Sequence, residues 1–361
     1  MEMLFALLGS GIRLVKMKDV ASGQSKVLRI KNRGKAWWVP IAGAAVFTLF
    51  FGPGQAAHLR HAIPNQEPPM ANRALQRVES DEYKIVFNSE RDGDSEIYLM
   101  NQDGSGLTRL TYDPATDSLP YCSPDGSQIV FSSDRATTKQ LYLIDIDGSN
   151  VTRLTHNEFD NNSPSWSPDG NKIAFSSGGN ATPSNLYTIY PDGSNQRQIT
   201  NLAGHNFLSP TWSPDGRKLA AEGGILGKTI DTEWGEAGRL QIWTFNADGS
   251  DPTQLTNLDA YNGYPAWSPA GSSIIFDSTL QGWADILSVS LVDGSVTNLT
   301  NDPLQNEFAA WSPDGSKIAF VADRDGNNEI YIMDADGGNQ TRLTNHEASD
   351  SVGSGFHHLH P

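Results

Sequence analysis

One hydrophobic signature recurs along most of this chain: three apolar residues, a polar stretch, then a second apolar pair. The first strand segment appears as Ile85-Val-Phe87, Ile129-Val-Phe131, Ile173-Ala-Phe175, Leu219-Ala-Ala221, Ile274-Ile-Phe276 and Ile318-Ala-Phe320. The spacings between copies are 44, 44, 46, 55 and 44 residues. A second strand follows each time, at Ile97-Tyr98, Leu141-Tyr142, Leu186-Tyr187, Ile242-Trp243, Ile286-Leu287 and Ile330-Tyr331. An Asp-Gly turn comes next in all six copies, beginning at Asp103, Asp147, Asp192, Asp248, Asp293 and Asp336. Such a turn tolerates positive φ and closes a tight hairpin with the twist that strands require. A third strand then ends in Leu-Thr or Ile-Thr, from Leu110-Thr111 to Leu343-Thr344.

A fourth element lies between copies and reads Pro-x-Trp-Ser-Pro-Asp-Gly at residues 164–170 and 210–216. Variants carry Ala270 for Asp, Ala309 for the first Pro and Cys122 for Trp. In Ser-Pro-Asp-Gly, proline presets φ for the second turn position and the Asp and Gly complete the turn. Each unit is therefore four short antiparallel strands, and a sheet that small cannot bury both faces alone. Stacking the copies radially solves this, because four strands in a repeat of about 40 to 50 residues describe a propeller blade. The fold expected is all-β: a six-bladed β-propeller of four-stranded antiparallel blades over residues 82–361. Trp166, Trp212, Trp267 and Trp311 recur once per unit and are expected to pack between blades. The first unit lacks its own Trp-Ser-Pro strand. The tail after Thr344, with Val352 and Phe356, is long enough to supply it, and the segment before Ile85 is the competitor.

Ahead of the repeats, residues 37–52 form an uncharged apolar run, preceded by Lys26, Arg29, Lys31, Arg33 and Lys35 and followed by small residues through Ala57. A basic region, an apolar core and a small-residue exit are the parts of a secretory signal or a short membrane anchor. Residues 1–57 are expected to be that leader and 58–81, with Pro64, Pro68 and Pro69, a linker. The domain beyond would then be periplasmic or otherwise extracytoplasmic, secreted or tethered, touching membrane only through 37–57.

Charge narrows the partners. Residues 1–81 carry eleven Lys or Arg against five acids, whereas 82–361 carry fifteen against thirty-seven. A domain of net charge −22 repels phosphate backbones, so nucleic acid is excluded and basic proteins or cations fit better. The single cysteine, Cys122, rules out an internal disulfide and reads as a core thiol.

The unit Trp311-Ser-Pro-Asp-Gly-Ser-Lys-Ile-Ala-Phe320, with Asp323-Arg-Asp-Gly-Asn-Asn-Glu-Ile-Tyr-Ile-Met-Asp-Ala-Asp-Gly337 and Thr341-Arg-Leu-Thr344, resembles the TolB-type propeller repeat. The resemblance covers about residues 82–344 and implies an exported propeller that binds an envelope protein, a Pal-like lipoprotein by analogy. TolB itself carries an α/β domain before its propeller, for which this sequence has no counterpart. The repeat is also similar to the propeller that gates prolyl-oligopeptidase-type enzymes, although no Gly-x-Ser-x-Gly elbow is present.

Two candidate sites follow. Loops joining successive blades share a face with loops joining each second and third strand. That face collects His156, His205 and His346, with Asp117, Asp160, Asp259, Glu307 and Asp350 nearby in sequence. Histidines and carboxylates around a channel mouth are ligands for a divalent metal, and some propeller lyases of pectin fragments resemble this in using histidine-bound metal. Solvated loop residues are the competing reading; no cofactor is otherwise expected. The same face carries the one large insertion, residues 222–239, where Lys228, Asp231, Glu233 and Trp234 are the expected partner contacts. The reading favoured is a protein-binding scaffold without catalysis; the alternative is a metal-assisted, carbohydrate-active lyase.

Overall fold

The computed structural model describes residues 83–352 with their side chains, apart from 180–182 and 226–239, and follows the backbone on to His358. Ahead of the propeller only backbone strands are described: Arg13–Lys18, Lys26–Asn32 and Lys35–Ile41 pair as one antiparallel sheet, and Phe47–Leu49 pairs with Leu59–His61. The rest of the leader 1–57 and the linker 58–81 lies outside the described residues, and whether 37–52 is a signal or anchor rests on the sequence alone. Among the described residues no helix is long and apolar enough to cross a membrane.

Six four-stranded antiparallel sheets follow one another. Blade 2 is Asp117–Cys122, Gln128–Ser133, Gln140–Asp145 and Thr152–Arg153. Blade 3 starts at Asp160–Trp166, blade 4 at His205–Trp212, blade 5 at Asn262–Trp267 and blade 6 at Asn306–Trp311. Blade 1 combines the two ends of the domain. Its outer three strands are Tyr83–Ser89, Glu96–Asn101 and Thr108–Arg109, and its inner strand is the tail, Asp350–His358. The tail, not the segment before Ile85, closes the ring. It carries no Trp-Ser-Pro motif, yet the register places Phe356 opposite Ile85, as Trp166 lies opposite Ile173 and Trp311 opposite Ile318.

Every seam between blades has an apolar core. Val86, Ile97 and Leu110 of blade 1 pack on Cys122, Ile129 and Phe131 of blade 2. Trp166 and Phe175 of blade 3 pack on Val130, Leu143 and Leu154 of blade 2. Trp212 meets Ala174 of blade 3, Trp267 the cluster containing Ala220 of blade 4, and Trp311 that containing Ile275 of blade 5. Burying the apolar faces of neighbouring sheets against each other is what holds a closed ring together.

Two polar devices repeat inside the blades. The threonine of each Leu-Thr or Ile-Thr ending accepts a hydrogen bond from a backbone N–H of the third strand, Thr111 from Ile97 at 2.9 Å and Thr344 from Ile330 at 2.9 Å. In several blades it donates in turn to a neighbouring side chain, as Thr256 does to Gln241 at 3.0 Å and Thr300 to Asp285 at 2.7 Å. A hydroxyl is required because it alone can accept and donate at one buried point. The second device is an arginine laid over an aromatic pair: Arg135 lies 5.6 Å from the Phe131 ring and 4.8 Å from that of Tyr142. Arg91 and Arg324 repeat it on Phe87–Tyr98 and Phe320–Tyr331.

Blade 4 departs from the pattern. Ala221 stands where the other second strands have phenylalanine, and Phe207 fills the space, edge-on to Trp243 and Phe245 at 5.8 and 5.0 Å. Phe207 occupies the first-position slot that Asp117, Asn161, Asn262, Asn306 and Asp350 hold elsewhere, all fully buried. Gly223 is needed beside it, since a Cβ there would run into the Phe207 ring.

Candidate functional site

Antiparallel connectivity sorts the loops onto two faces. Each inner strand starts where the preceding blade's outer strand ends and finishes in the Ser-Pro-Asp-Gly turn, so the second-to-third-strand loops return to the starting face. This upper face carries the interblade loops; the lower face carries the Ser-Pro-Asp-Gly and Asp-Gly turns. On the lower face Ser123 Oγ donates to Asp125 at 2.6 Å and the Ser127 N–H to the same carboxylate at 3.1 Å, which holds Asp125 below the usual carboxylate range. These aspartates are turn formers.

The upper face carries an arc of exposed apolar side chains. Tyr112, Phe159 and Leu202 sit in the loops between blades 1 and 2, 2 and 3, and 3 and 4. Ile225 ends the second strand of blade 4, and Leu280 lies in the corresponding loop of blade 5. Tyr112 is 72% exposed, with only Arg109 against its ring at 4.7 Å. The arc adjoins the insertion in blade 4, which the backbone places as a hairpin, Thr229–Thr232 with Gly235–Gly238. Lys228, Asp231, Glu233 and Trp234 belong to this segment, and their side chains lie outside the described residues. The expected insertion bounds are corrected at one end: residues 222–225 are second-strand residues, and Glu222 is buried at 3% exposure. Exposed apolar residues on the lower side, Leu107, Val151, Tyr190, Val292 and Val296, sit around the outer strands instead of the channel mouth.

The three histidines occupy three different interblade loops or strand starts. His156 and His346 are exposed; His205 stacks on Phe207 and meets Trp243 edge-on at 5.6 Å. Among the described residues no three of His, Cys, Asp and Glu are grouped so as to hold an ion. The carboxylates expected beside them are largely engaged. Arg135 forms a two-pronged pair with Asp117 at 2.9 and 2.6 Å, and Arg91 one with Asp350 at 2.9 and 2.8 Å. Asp160 accepts from the Lys139 N–H at 2.9 Å.

The sequence reading missed a group beside the central channel, in the seams between blades 4, 5 and 6. Glu222 of blade 4 accepts from Ser209 Oγ at 2.7 Å and from Tyr261 Oη of blade 5 at 3.0 Å, and the Tyr264 N–H also donates to it. Asp277 of blade 5, 2% exposed, accepts through Oδ2 from the Phe308 N–H of blade 6 at 2.9 Å. Glu307 precedes Phe308. Burial pushes all three carboxyls up, for Asp277 well above the usual range with Glu307 adding to it. Tyr264 and Phe308, whose rings lie 4.4 Å apart, line the channel together with Leu119, Trp267 and Trp311 around a cavity of about 240 Å³. Leu119, Ser163, Ser209, Tyr264 and Phe308 occupy one position of five inner strands and all have positive φ, from 47° to 54°. Each lies in the register break of its strand, so the strain marks a bulge that turns the strand along the channel wall.

Comparison with known proteins identifies the repeat. Residues 77–220 match the TolB beta propeller domain, and residues 280–357 match the dipeptidyl peptidase IV N-terminal region. Over residues 77–220 the repeats are of the TolB propeller type. The putative TolB from Agrobacterium tumefaciens superposes with a TM-score of 0.59 at 23% identity, over 77% of this chain and 91% of that one. TolB from Acinetobacter baumannii superposes with a TM-score of 0.62 at 18% identity, over 92% of this chain and 80% of that one. An oligogalacturonate lyase in complex with manganese is similar at a TM-score of 0.50 and 18% identity, over 73% of this chain and 74% of that one. At these identities the likeness establishes the propeller fold. No curated protein matches the sequence significantly.

Proposed function

We propose that this TolB-like propeller is a protein-binding scaffold of the cell envelope, exported by its N-terminal leader and docking its partner on the upper face. The observation that carries this reading is the arc of Tyr112, Phe159, Leu202, Ile225 and Leu280 beside the insertion at 226–239. Exposed apolar side chains gathered on one face of a propeller are the material of a protein interface, with aromatic residues its usual anchors. Likeness to two TolB structures and the basic, apolar leader support an extracytoplasmic place for it. The partner on this reading is another envelope protein, of Pal type by family analogy. The lyase alternative rests on likeness to the manganese-bound oligogalacturonate lyase and on His156 and His346 in separate loops and His205 at a strand start.

The test is capture from an envelope extract by the full chain and by two variants, one with Tyr112→Ser and Phe159→Ser, the other with 226–239 replaced by a short Gly-Ser turn. One protein recovered by the parent and lost from either variant supports the scaffold. Equal recovery by all three, or none by the parent, refutes it.

A further inference from the structure

Buried carboxylates in this chain come with partners, and in the arginine-bearing blades the partner is arginine. Asp350 has Arg91, Asp117 has Arg135, Glu96 has Arg109 at 2.5 Å and Glu329 has Arg342 at 2.7 Å. Asp285 has no arginine but receives Asn298 at 2.8 Å and Thr300 at 2.7 Å. The channel group of Glu222, Asp277 and Glu307 breaks the rule. Among the described residues none of the three forms an ion pair with a lysine or arginine. The N–H groups of Phe308 and Ala309 both act on Asp277, and its Oδ1 atom is buried without a hydrogen bond of ordinary geometry.

That oxygen lies in the seam between blades 5 and 6, next to the channel wall. Asp277 lies on the strand face it shares with Ile275, which packs against blade 6, and its Oδ2 is already held by the N–H of the channel-lining Phe308. In the equivalent second-strand position the other blades have Asn88, Ser132, Ser176 and Val321, so the two carboxylates at 222 and 277 are confined to adjacent blades. A buried unpaired carboxylate is costly to keep and is normally removed or satisfied, which makes it a mark of use.

We infer that this corner of the channel is a receptor for one basic side chain, lysine or arginine, projected by the protein partner. The inference rests on the scaffold reading and specifies what the partner must bring. An organic cation fits better than a metal ion. Both oxygens of Glu222 and one of Asp277 are committed to protein donors, and no three ligands converge. The wall beside them is aromatic and apolar, from Tyr264 and Phe308 to Trp267 and Trp311. A lysine or arginine buries its aliphatic stem along such a wall, gains from the ring faces, and delivers its charge at the end. On binding, a proton held by the raised carboxyls leaves to solvent as the incoming N–H groups donate to Asp277 and Glu307; no covalent bond changes.

The probe is argininamide, titrated by calorimetry into the full chain beside its uncharged isostere citrullinamide and beside calcium chloride. Argininamide should bind, citrullinamide should not, and binding should release protons, read as a dependence of the heat on buffer ionisation enthalpy. Asp277→Asn and the half-buried Glu307→Gln should each weaken argininamide at least tenfold while retaining the parent's circular dichroism. Absence of argininamide binding, equal binding of citrullinamide, tight calcium binding in its place, or unchanged affinity in both variants overturns the inference. If a partner is captured through the upper face and bound equally by Asp277→Asn and Glu307→Gln, the receptor falls while the scaffold stands. If no partner is captured but argininamide still binds through these residues, the scaffold reading falls and the cation site is retained.

Discussion

Ring closure depends on a clasp that can be opened with one substitution. Arg91, in the second strand's exit loop of blade 1, holds Asp350, the first residue of the closing tail, across 259 residues of sequence. Asp350 is fully buried and the arginine side chain is only 13% exposed. Arg91→Ala strands that carboxylate in the seam and removes the guanidinium from the Phe87 and Tyr98 rings. Removing one partner of a buried pair costs about 3–5 kcal/mol, and a lost cation–π contact adds about 0.5–1 kcal/mol. For a domain of this size each kcal/mol lowers the melting temperature by about 2–4 °C, so a fall of roughly 10 °C is expected. The homologous pair Arg135–Asp117 lies within the continuous chain of blade 2 and provides the control. Thermal melting should fall in both Arg91→Ala and Arg135→Ala. Hydrogen exchange should accelerate across 350–358 only in the former, because only there does the pair tether a chain end. The double variant Arg91→Leu, Asp350→Asn should regain more than half of the loss, since no unpaired charge is left. A melting temperature within about 2 °C of the parent, or tail amides no faster in Arg91→Ala than in Arg135→Ala, would refute the reasoning.

Three further outcomes are expected. Thr344→Val removes both an acceptor for the Ile330 N–H and a donor to Glu329, and should cost about 2–6 kcal/mol in urea unfolding, two unsatisfied groups at about 1–3 each. Asp277→Asn keeps an acceptor for Phe308 and removes a buried acid. Because the carboxyl is raised in the folded state, wild-type stability from that group is present at low pH and lost as pH climbs through the raised value. The variant should therefore match the parent in acid and exceed it by about 1–3 kcal/mol in alkali, and parallel pH–stability curves would contradict this. Cys122 is 1% exposed and burial pushes its thiol up, so iodoacetamide should leave the native protein unmodified and label it fully in denaturant.

The blade count, strand order and turn chemistry could be read from the chain because each rests on a local signal repeated six times. Ser-Pro-Asp-Gly and Asp-Gly fix turns through φ preferences, and the Ile-x-Phe triplets mark second strands wherever they fall. The closing strand was legible by length alone: in its register Phe356 stands for the tryptophan and Ser354 and Gly355 stand for Pro-x, so no motif announces it. Asp117 and Asp350 read as loop carboxylates because their arginines are 18 and 259 residues away, and a pairing at that distance leaves no spacing rule. Glu222 was assigned to the insertion because Ala221 breaks the apolar triplet just before it, and only the packing of Phe207 shows the strand continuing. The channel acids did leave a trace, a carboxylate in the fourth place of two adjacent second strands where the others have Asn, Ser or Val. What made them notable, the lack of a counter-charge, is a property of three blades together.

The most direct measurement is a hydrogen-exchange footprint of the full chain with and without its captured envelope partner. The scaffold reading predicts slowed exchange in the interblade loops at 111–116, 156–160 and 200–205, and in the loops at 225–240 and 279–284. Protection confined to the Ser-Pro-Asp-Gly turns of the opposite face, with those loops unchanged, would contradict it.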